Sequence, residues 1–424
     1  MRRFTILILL LFVFFLTSCA TGAGGGPAGS TAAPGQTGAA AARTGQDFDN
    51  RYGRGYANLI ETEDAYYYAD FNGSYIYYYD KASGERGVLC AKPECLHDAA
   101  NNNTECNGYA GLHARSLNLW GGRLHYVSFD HDDHDFGTGL FSVSLDGSSK
   151  SRDVKLELGE MDKIQVPERF DYHRGMLYSR NQYKLVKNGE PQDVICVLRY
   201  DPDTGDMKEL YRVADTNAAK DLCLFYYENY VYFSVCDWSA YASGKEENYM
   251  KIEIFRWNID TEQLETVFST GDNGLTCTMF NIWVESEDRI YIVPVEAPDG
   301  APVYLLSGGE ITTAFEFDSF GATLIVDGAV VCIFPHEAHA EIRALPDGAL
   351  IYEGDWDMDP LNGLDVDYEI AYLLAVYGDS ETLFVTYGLD IHDKGDTHGG
   401  SCLVRYDLTG EKPEATLIAY SPWN

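Results

Sequence analysis

The sequence has 424 residues, and its 66 Asp and Glu residues outnumber its 31 Lys and Arg residues, which gives a formal charge of -35 at pH 7. A surface this acidic repels phosphate backbones and anionic lipids, so it argues against a nucleic-acid-binding protein and against polyanionic polysaccharide as a partner. The same charge favours solubility and cationic partners.

The first segment, MRRFTILILLLFVFFLTSCATG, predicts an export signal, because two arginines precede an apolar run that small residues follow. The apolar run, residues 6–16, is shorter than the roughly 20 residues that a membrane-spanning helix needs. The ending Leu-Thr-Ser-Cys resembles the lipobox of bacterial lipoproteins, which implies that residues 1–18 are a signal peptide and that Cys19 carries acyl chains such as palmitate. We therefore expect a protein held at the cell membrane by a lipid anchor and facing outside the cytoplasm.

Residues 19–46 begin with this cysteine and continue with almost nothing but Gly, Ala, Ser, Thr, Pro and Gln. A segment of this composition cannot bury a hydrophobic core, so we expect a flexible tether. The folded domain is then expected to span residues 47–424.

An apolar run, a short polar turn and a second apolar or aromatic run recur seven times after the tether, as in LNLWGGRLHYVSFD. The second runs centre on Tyr67, Tyr126, Tyr178, Tyr232, Tyr291, Val331 and Phe384. Each interval has room for four strands, and turns such as YDKASGE and YDPDTGD predict hairpins between the third and fourth strands. The pattern predicts an all-β fold, a β-propeller of seven four-stranded blades, with six or eight blades as alternatives because the sixth repeat is short and the closing strand is unassigned.

The repeat style over residues 60–420, and the segment LCAKPECLHD that follows YYYDKASGE, resemble tyrosine-rich β-propeller lipoproteins of Gram-positive bacteria. Many members of that family are of uncharacterised function. The resemblance implies a propeller fold and a surface location, and it implies no activity, because propellers serve as enzymes and as plain binding modules alike.

Three cysteines and a histidine, Cys90, Cys95, His97 and Cys106, stand close together in the long connection between the first and second blades. Their spacing allows a Cys₃His zinc site, which would be structural because the protein fills all four positions. In an exported protein, a disulfide from Cys106 to Cys95 or to Cys90 is an alternative, and free thiols are a third. Zinc is the cofactor that this segment suggests, and either zinc or a disulfide would brace the loop.

The remaining cysteines, Cys196, Cys223, Cys236, Cys277, Cys332 and Cys402, fall mostly in predicted strands. A buried free thiol packs as a small hydrophobic group, and we expect this role for most of them. Cys223 and Cys236 flank the turn of the fourth blade almost symmetrically, so they are candidates for a cross-strand disulfide.

Histidines and aspartates concentrate in the predicted loops between the second and third strands of three blades, which open on the same face of a propeller. The candidate ligand-face residues, together with a tryptophan of the fourth blade, are His131, Asp132, His134, Asp135, His336, His339, His392, Asp393, His398 and Trp238. Long exposed loops collect polar residues in any case. The alternative is a ligand or metal site at the channel mouth, where imidazole and carboxylate groups suit Zn²⁺ or Mn²⁺.

No catalytic motif is present: the sequence lacks a G-x-S-x-G elbow, an H-E-x-x-H helix, a P-loop and a Rossmann glycine set. We therefore assign no catalytic residue and leave open whether the protein is an enzyme. The favoured function is a tethered binding or scaffold module for an extracellular peptide, glycan or protein. The alternative is a metal-dependent polysaccharide lyase or hydrolase that uses the His- and Asp-rich face.

Overall fold

A computed structural model gives the fold and describes residues 47–52, 59–69, 74–97, 103–111, 116–128, 139–156, 169–187, 190–215, 220–237, 251–270, 280–294, 301–317, 322–334, 339–364, 367–393 and 396–422. These residues belong to one compact unit, Ala42–Asn424. Besides strands, they contain the short 3₁₀ helices Asn50–Tyr52 and Asp359–Gly363. No helix in this part of the chain is long and apolar enough to cross a membrane.

The described strands form seven antiparallel sheets of four strands each, and every sheet is a blade built from consecutive strands. The first blade contains β1 (Leu59–Glu61), β2 (Ala65–Ala69), β3 (Ile76–Asp80) and β4 (Arg86–Val88). The second contains β5 (Leu117–Trp120), β6 (Arg123–Ser128), β7 (Gly139–Ser144) and β8 (Lys150–Lys155). The third contains β9 (Asp171–His173), β10 (Met176–Lys187), β11 (Glu190–Tyr200) and β12 (Met207–Asp215). The fourth contains β13 (Lys220–Tyr227), β14 (Tyr230–Asp237), β15 (Lys251–Asn258) and β16 (Gln263–Ser269).

The remaining three blades follow the same order. The fifth contains β17 (Phe280–Ser286), β18 (Arg289–Pro294), β19 (Ala301–Ser307) and β20 (Glu310–Phe317). The sixth contains β21 (Ala322–Val326), β22 (Ala329–Phe334), β23 (His339–Ala344) and β24 (Leu350–Asp355). The seventh contains β25 (Asp367–Gly378), β26 (Thr382–Asp393), β27 (Asp396–Asp407) and β28 (Glu414–Pro422). The prediction of a seven-bladed β-propeller is confirmed.

Burial explains why the second apolar run of each repeat was the clearest signal. Each of the seven predicted centres lies in the second strand of its blade, for example Tyr67 in β2 and Phe384 in β26. Second strands such as β2 and β6 are buried along almost their whole length, because neighbouring blades pack on both of their faces. Fourth strands such as β8 and β16 are largely exposed, and their charged side chains protect the outer edges from pairing with other chains.

The first strands of successive blades contact one another and so surround the channel: β1 contacts β5, β5 contacts β9, β13 contacts β17, β17 contacts β21, and β21 contacts β25. The ring closes where β28 of the seventh blade packs on β3 and β4 of the first, a joint that we call the seam. Arg86 donates a hydrogen bond to the Leu417 carbonyl at 2.7 Å there, and the Tyr77 hydroxyl donates one to Ser421 Oγ at 3.2 Å. Among the described strands, no sheet contains strands of both the first and the seventh blade, and the contacts described here across the seam are made by side chains.

The turns between third and fourth strands have the predicted chemistry. Asp80 accepts a hydrogen bond from the Ser83 N–H at 2.7 Å, and Gly84 completes this turn with a φ of 71°. Gly205 occupies the matching place in the third blade with a φ of 78°. Glycine suits both positions because it enters the left-handed region without a steric penalty.

Two expectations about the cysteines have different outcomes. Cys196, Cys236, Cys332 and Cys402 are buried in strands, as expected. The prediction that Cys223 and Cys236 face each other is wrong, because the centre of the turn between β13 and β14 lies one residue earlier in the sequence than predicted. Cys223 therefore pairs with Ser234. Cys236 pairs with Asp221 in the same ladder.

Candidate functional site

The Cys/His cluster, Cys90, Cys95, His97 and Cys106, follows the outermost strand of the first blade. One possible ligand atom from each of the four residues lies within 4.8 Å of the others. His97 Nδ1 lies 3.2 Å from Cys95 Sγ and 3.4 Å from Cys106 Sγ. All three cysteines are free thiols in this structure. It is the one group of at least three metal-ligand side chains that the described residues bring this close together.

Tight local turns bring the four side chains together. The Cys95 N–H donates to the Lys92 carbonyl at 3.1 Å, which closes a turn with Pro93 at its second position, where proline is preferred. The Cys106 N–H donates to the Asn103 carbonyl at 2.9 Å and closes a second turn. His97 has a φ of 54°, a left-handed conformation that is uncommon for a non-glycine residue and that often occurs at ligand sites.

The second blade supports the cluster from outside. The Lys150 ammonium donates to the carbonyls of Thr104, Cys106 and Tyr109 at 3.1, 2.9 and 3.1 Å. Burial lowers the pKa of Lys150, and the nearby Cys106 opposes this effect. The Gly147 carbonyl, in the turn between β7 and β8, accepts from the Ala91 N–H at 3.1 Å. The loop that carries the cluster is therefore docked against the neighbouring blade.

The thiols of the cluster have unequal acidities. Burial, together with the hydrogen bond to Cys95, raises the pKa of Cys106 to about 12. Burial also raises the pKa of Cys90, but hydrogen bonds from the backbone N–H groups of Lys92 and Asn107 outweigh it, so this pKa is lowered on balance. Cys90 therefore becomes a thiolate, the form that binds metal ions, more readily than Cys106.

Gly147 has no space for a side chain, and we expect Gly147→Ala to destabilise the protein. An added Cβ would lie 2.9 Å from the Cys90 nitrogen, and the residue has a left-handed φ of 68°. Gly122→Ala is a matched control, because its φ is 74° and nothing lies within 4 Å of an added Cβ. Gly147→Ala should lower the free energy of unfolding by at least about 1 kcal/mol more than Gly122→Ala in urea titrations. Equal losses of unfolding free energy in the two variants would show that the loop at Cys90 does not pack tightly against this turn.

Residues 47–52, which we call the strap, cross one end of the ring. The Phe48 N–H donates to the Tyr172 carbonyl of the third blade at 2.7 Å. Asn50 makes two hydrogen bonds with the backbone of Tyr226 in the fourth blade, at 2.6 and 3.0 Å. Arg51 donates to Asp379 of the seventh blade at 2.9 Å.

The far end of the strap reaches the first blade. The Tyr52 hydroxyl donates to the carboxylate of Glu61, and the Tyr52 ring packs edge-on against Phe384 with centroids 5.6 Å apart. All of these contacts lie at or next to turns between first and second strands, which share one end of a propeller. The strap therefore spans that end from the third and fourth blades to the seventh and first.

A cavity of about 420 Å³, the strap cavity, lies between the strap and the turns of the fourth, fifth and sixth blades. Its lining residues are Asp47, Phe48, Asp49, Asn50, Arg51, Phe225, Tyr226, Tyr227, Trp283, Val284, Glu285 and Asp327. Phe225 and Trp283 meet edge-on with centroids 5.0 Å apart. The volume falls within the range of small-ligand sites, and half of the lining residues are polar or charged.

Several of the candidate ligand-face residues, His131, Asp132, His134, Asp135, His336 and Trp238, lie outside the described residues, as does Cys19. His339 is not a loop residue as predicted, because β23 begins with it, and its Nδ1 lies 3.1 Å from Asp355 Oδ1.

His392, Asp393 and His398 were also expected in a loop, but they belong to the long hairpin of β26 and β27. His398 pairs with Ile391, so His392 and His398 lie on opposite faces of the hairpin. The structure does not bring these two histidines together.

Sequence reasoning missed the strap and its cavity. The strap residues, DFDNRY, directly follow the expected tether and include two aromatic residues and one arginine. That change in composition was the available signal for the start of the fold. The partners of the strap could not be found this way, because Asn50 and Arg51 bind residues that are 176 and 328 positions away.

No protein-family model and no curated protein matches this chain. A puromycin-hydrolysing peptidase of Mycobacterium tuberculosis is similar in structure at 12% identity and a TM-score of 0.47, over 85% of this chain and 52% of that one. The chain thus spans about half the length of that peptidase.

The β-propeller domain of the Trilobed protease of Pyrococcus furiosus is similar at 10% identity and a TM-score of 0.36, over 84% of this chain and 96% of that one. The α-L-arabinofuranosidase Arb93A of Fusarium graminearum is similar at 11% identity and a TM-score of 0.37, over 67% of this chain and 89% of that one. At these identities the similarities concern the fold alone.

Proposed function

We propose that the protein is a surface lipoprotein, anchored through Cys19, whose propeller is a binding module for an extracellular peptide or glycan. The strap cavity is the observation that carries the binding function. It combines three aromatic side chains, Phe225, Tyr227 and Trp283, with carboxylates at the rim, on a rigid ring of strands. Binding sites that must hold a shape are best built on such a scaffold.

The binding function is tested by screening the purified full-length chain, in detergent micelles, against arrays of peptides and of neutral and charged glycans. Tyr227→Ala removes one wall of the cavity, and Tyr230→Ala is its control, because Tyr230 pairs with Tyr227 in the same hairpin but does not line the cavity. A ligand should lose about tenfold or more in affinity with Tyr227→Ala and less than about twofold with Tyr230→Ala. A ligand whose affinity is the same in both variants as in the unchanged protein would refute this function for the cavity. Chemical conversion of the ligand would also refute it.

Replacing Cys19 with serine tests the anchor. Because an acylated cysteine holds its chains in the bilayer, Cys19→Ser should move the protein from the membrane fraction to the soluble fraction or leave an uncleaved precursor. Metabolic labelling with a palmitate analogue should lose its signal in this variant. Labelling that persists in Cys19→Ser would contradict the lipid anchor.

We further propose that Cys90, Cys95, His97 and Cys106 hold a structural zinc ion. Three sulfurs and one imidazole nitrogen are a donor set that zinc prefers, and tetrahedral Zn–S bonds of about 2.3 Å place ligand atoms within the separations found here. Four protein ligands leave no open position for substrate, so the ion would brace the loop and would not catalyse a reaction.

A further inference from the structure

The residues that line the strap cavity include more carboxylates than cations. Its lining includes the carboxylates of Asp47, Asp49, Glu285 and Asp327 and one cation, Arg51. Arg51 is already engaged, since it lies 2.8 Å from Asp49 and 2.9 Å from Asp379.

Two of the other carboxylates also have cation partners. Asp47 lies 3.3 Å from Arg174 Nε, and Glu285 contacts Arg289. Asp327 is the exception, because no ion pair among the described residues includes it, and its side chain remains exposed to the cavity.

The surroundings of Asp327 are unfavourable for a lone carboxylate. Partial desolvation raises its pKa, Arg51 opposes this, and the carboxylates of Asp379, Asp49 and Glu285 raise it further. A second cation beside Asp327 would relieve this repulsion.

The walls of the cavity indicate which kind of cation fits. Phe225, Tyr227 and Trp283 line the cavity, and aromatic rings attract ammonium and guanidinium groups. Tyr227 is the most accessible of the three, because Phe225 and Trp283 are only 4% and 7% exposed. A metal ion is a poorer match, because no set of three carboxylates among the described residues comes close enough to chelate one. Arg51 shows how an organic cation is held at this end of the ring, between carboxylates of the strap and of the seventh blade.

We infer that the strap cavity binds a guanidinium or ammonium group of an extracellular peptide, with Asp327 as its counter-ion and the aromatic side chains as its walls. This inference rests on the proposed binding function and selects basic peptides as the ligand class over neutral glycans. It also agrees with the formal charge of -35, which steers cationic partners towards the protein.

The test uses the full-length chain in detergent micelles and two probes of the same shape, N-acetylarginine amide and the uncharged N-acetylcitrulline amide. Calorimetric titration at low salt should show arginine amide binding at least about tenfold more tightly than citrulline amide, because the charge-assisted contacts depend on the cation. Asp327→Asn should lower the affinity for the arginine probe by about tenfold or more.

Asp288→Asn is the matched control, because it removes the same charge from an exposed turn of the fifth blade that does not line the cavity. Its affinity for arginine amide should stay within about twofold of the unchanged protein. Arg51→Gln adds a second readout: it frees Asp49 and Asp379 for an external cation, so binding should tighten if the strap stays in place.

Equal binding of the two probes, no binding of either, or an unchanged affinity in Asp327→Asn would overturn the inference. These failures differ from a failure of the proposed function. If a neutral glycan binds and depends on Tyr227, the binding function stands while the basic-peptide inference falls. If no arrayed ligand depends on Tyr227, the proposed function fails as well.

Discussion

Phe384→Ala is expected to lower the free energy of unfolding by about 3–5 kcal/mol, because it removes a fully buried ring that three parts of the molecule share. The Phe384 ring packs edge-on against Tyr66 of the first blade at 5.3 Å and against Tyr52 of the strap at 5.6 Å. It also stacks on Tyr377 of its own blade at 5.7 Å. Urea-induced unfolding followed by circular dichroism would measure the loss.

Phe317→Ala is the matched control, since this ring is equally buried but belongs to the fifth blade. It should cost a similar free energy, whereas only Phe384→Ala should speed amide hydrogen exchange in β2 and at the seam, in β3, β4 and β28. A loss below about 1 kcal/mol for Phe384→Ala, or equal exchange at the seam in both variants, would contradict the role of this ring in closing the propeller.

Removal of the proposed zinc ion is expected to loosen the loop and to leave the blades intact. Metal analysis of the purified chain should find about one zinc per molecule, and Cys106→Ser should abolish it. A chelator should speed hydrogen exchange across residues 88–106 without unfolding the protein, because the hydrophobic core of the fourth, fifth and sixth blades contains no residue of the cluster.

Cys196→Ser is the control for the loss of a buried thiol, since Cys196 lies in β11 and is outside the cluster. It should retain the zinc even if it lowers stability. If the loop is held by a disulfide, the chelator will have no effect and a reductant will produce the same local loosening. If the segment exchanges rapidly in the untreated protein and Cys90, Cys95 and Cys106 can all be alkylated, both the zinc ion and the disulfide are excluded.

The repeats were predictable because blade strands have strong local signatures. Tyr67 in β2 and Tyr232 in β14 lie in runs that are buried on both faces, so an apolar or aromatic residue occurs at nearly every position. Glycines with positive φ mark the hairpins that separate the third and fourth strands. The Cys/His cluster was predictable for a similar reason, because its four residues lie close together in the sequence.

The ligand face was less predictable, because polar composition does not distinguish a loop from the exposed end of a long hairpin. His392 and His398 are polar and flank a glycine, but the backbone ladder of β26 and β27 continues through them. The alternation of side chains along a strand then places these two histidines, which are close in the sequence, on opposite faces of the hairpin. The strap cavity depends on contacts between residues hundreds of positions apart, and no local pattern reveals these.

The position of the strap, between the expected tether and the first blade, has a mechanical consequence. A pull on the proposed lipid anchor would first load the contacts of Asp47 and Phe48, namely hydrogen bonds from Arg174 at 2.8 Å and to Tyr172 at 2.7 Å. These few bonds would give way one at a time, whereas the ladders of the blades share a load across many bonds. Because the strap is also one wall of the cavity, tension on the anchor would open the cavity while the ring of blades stays folded.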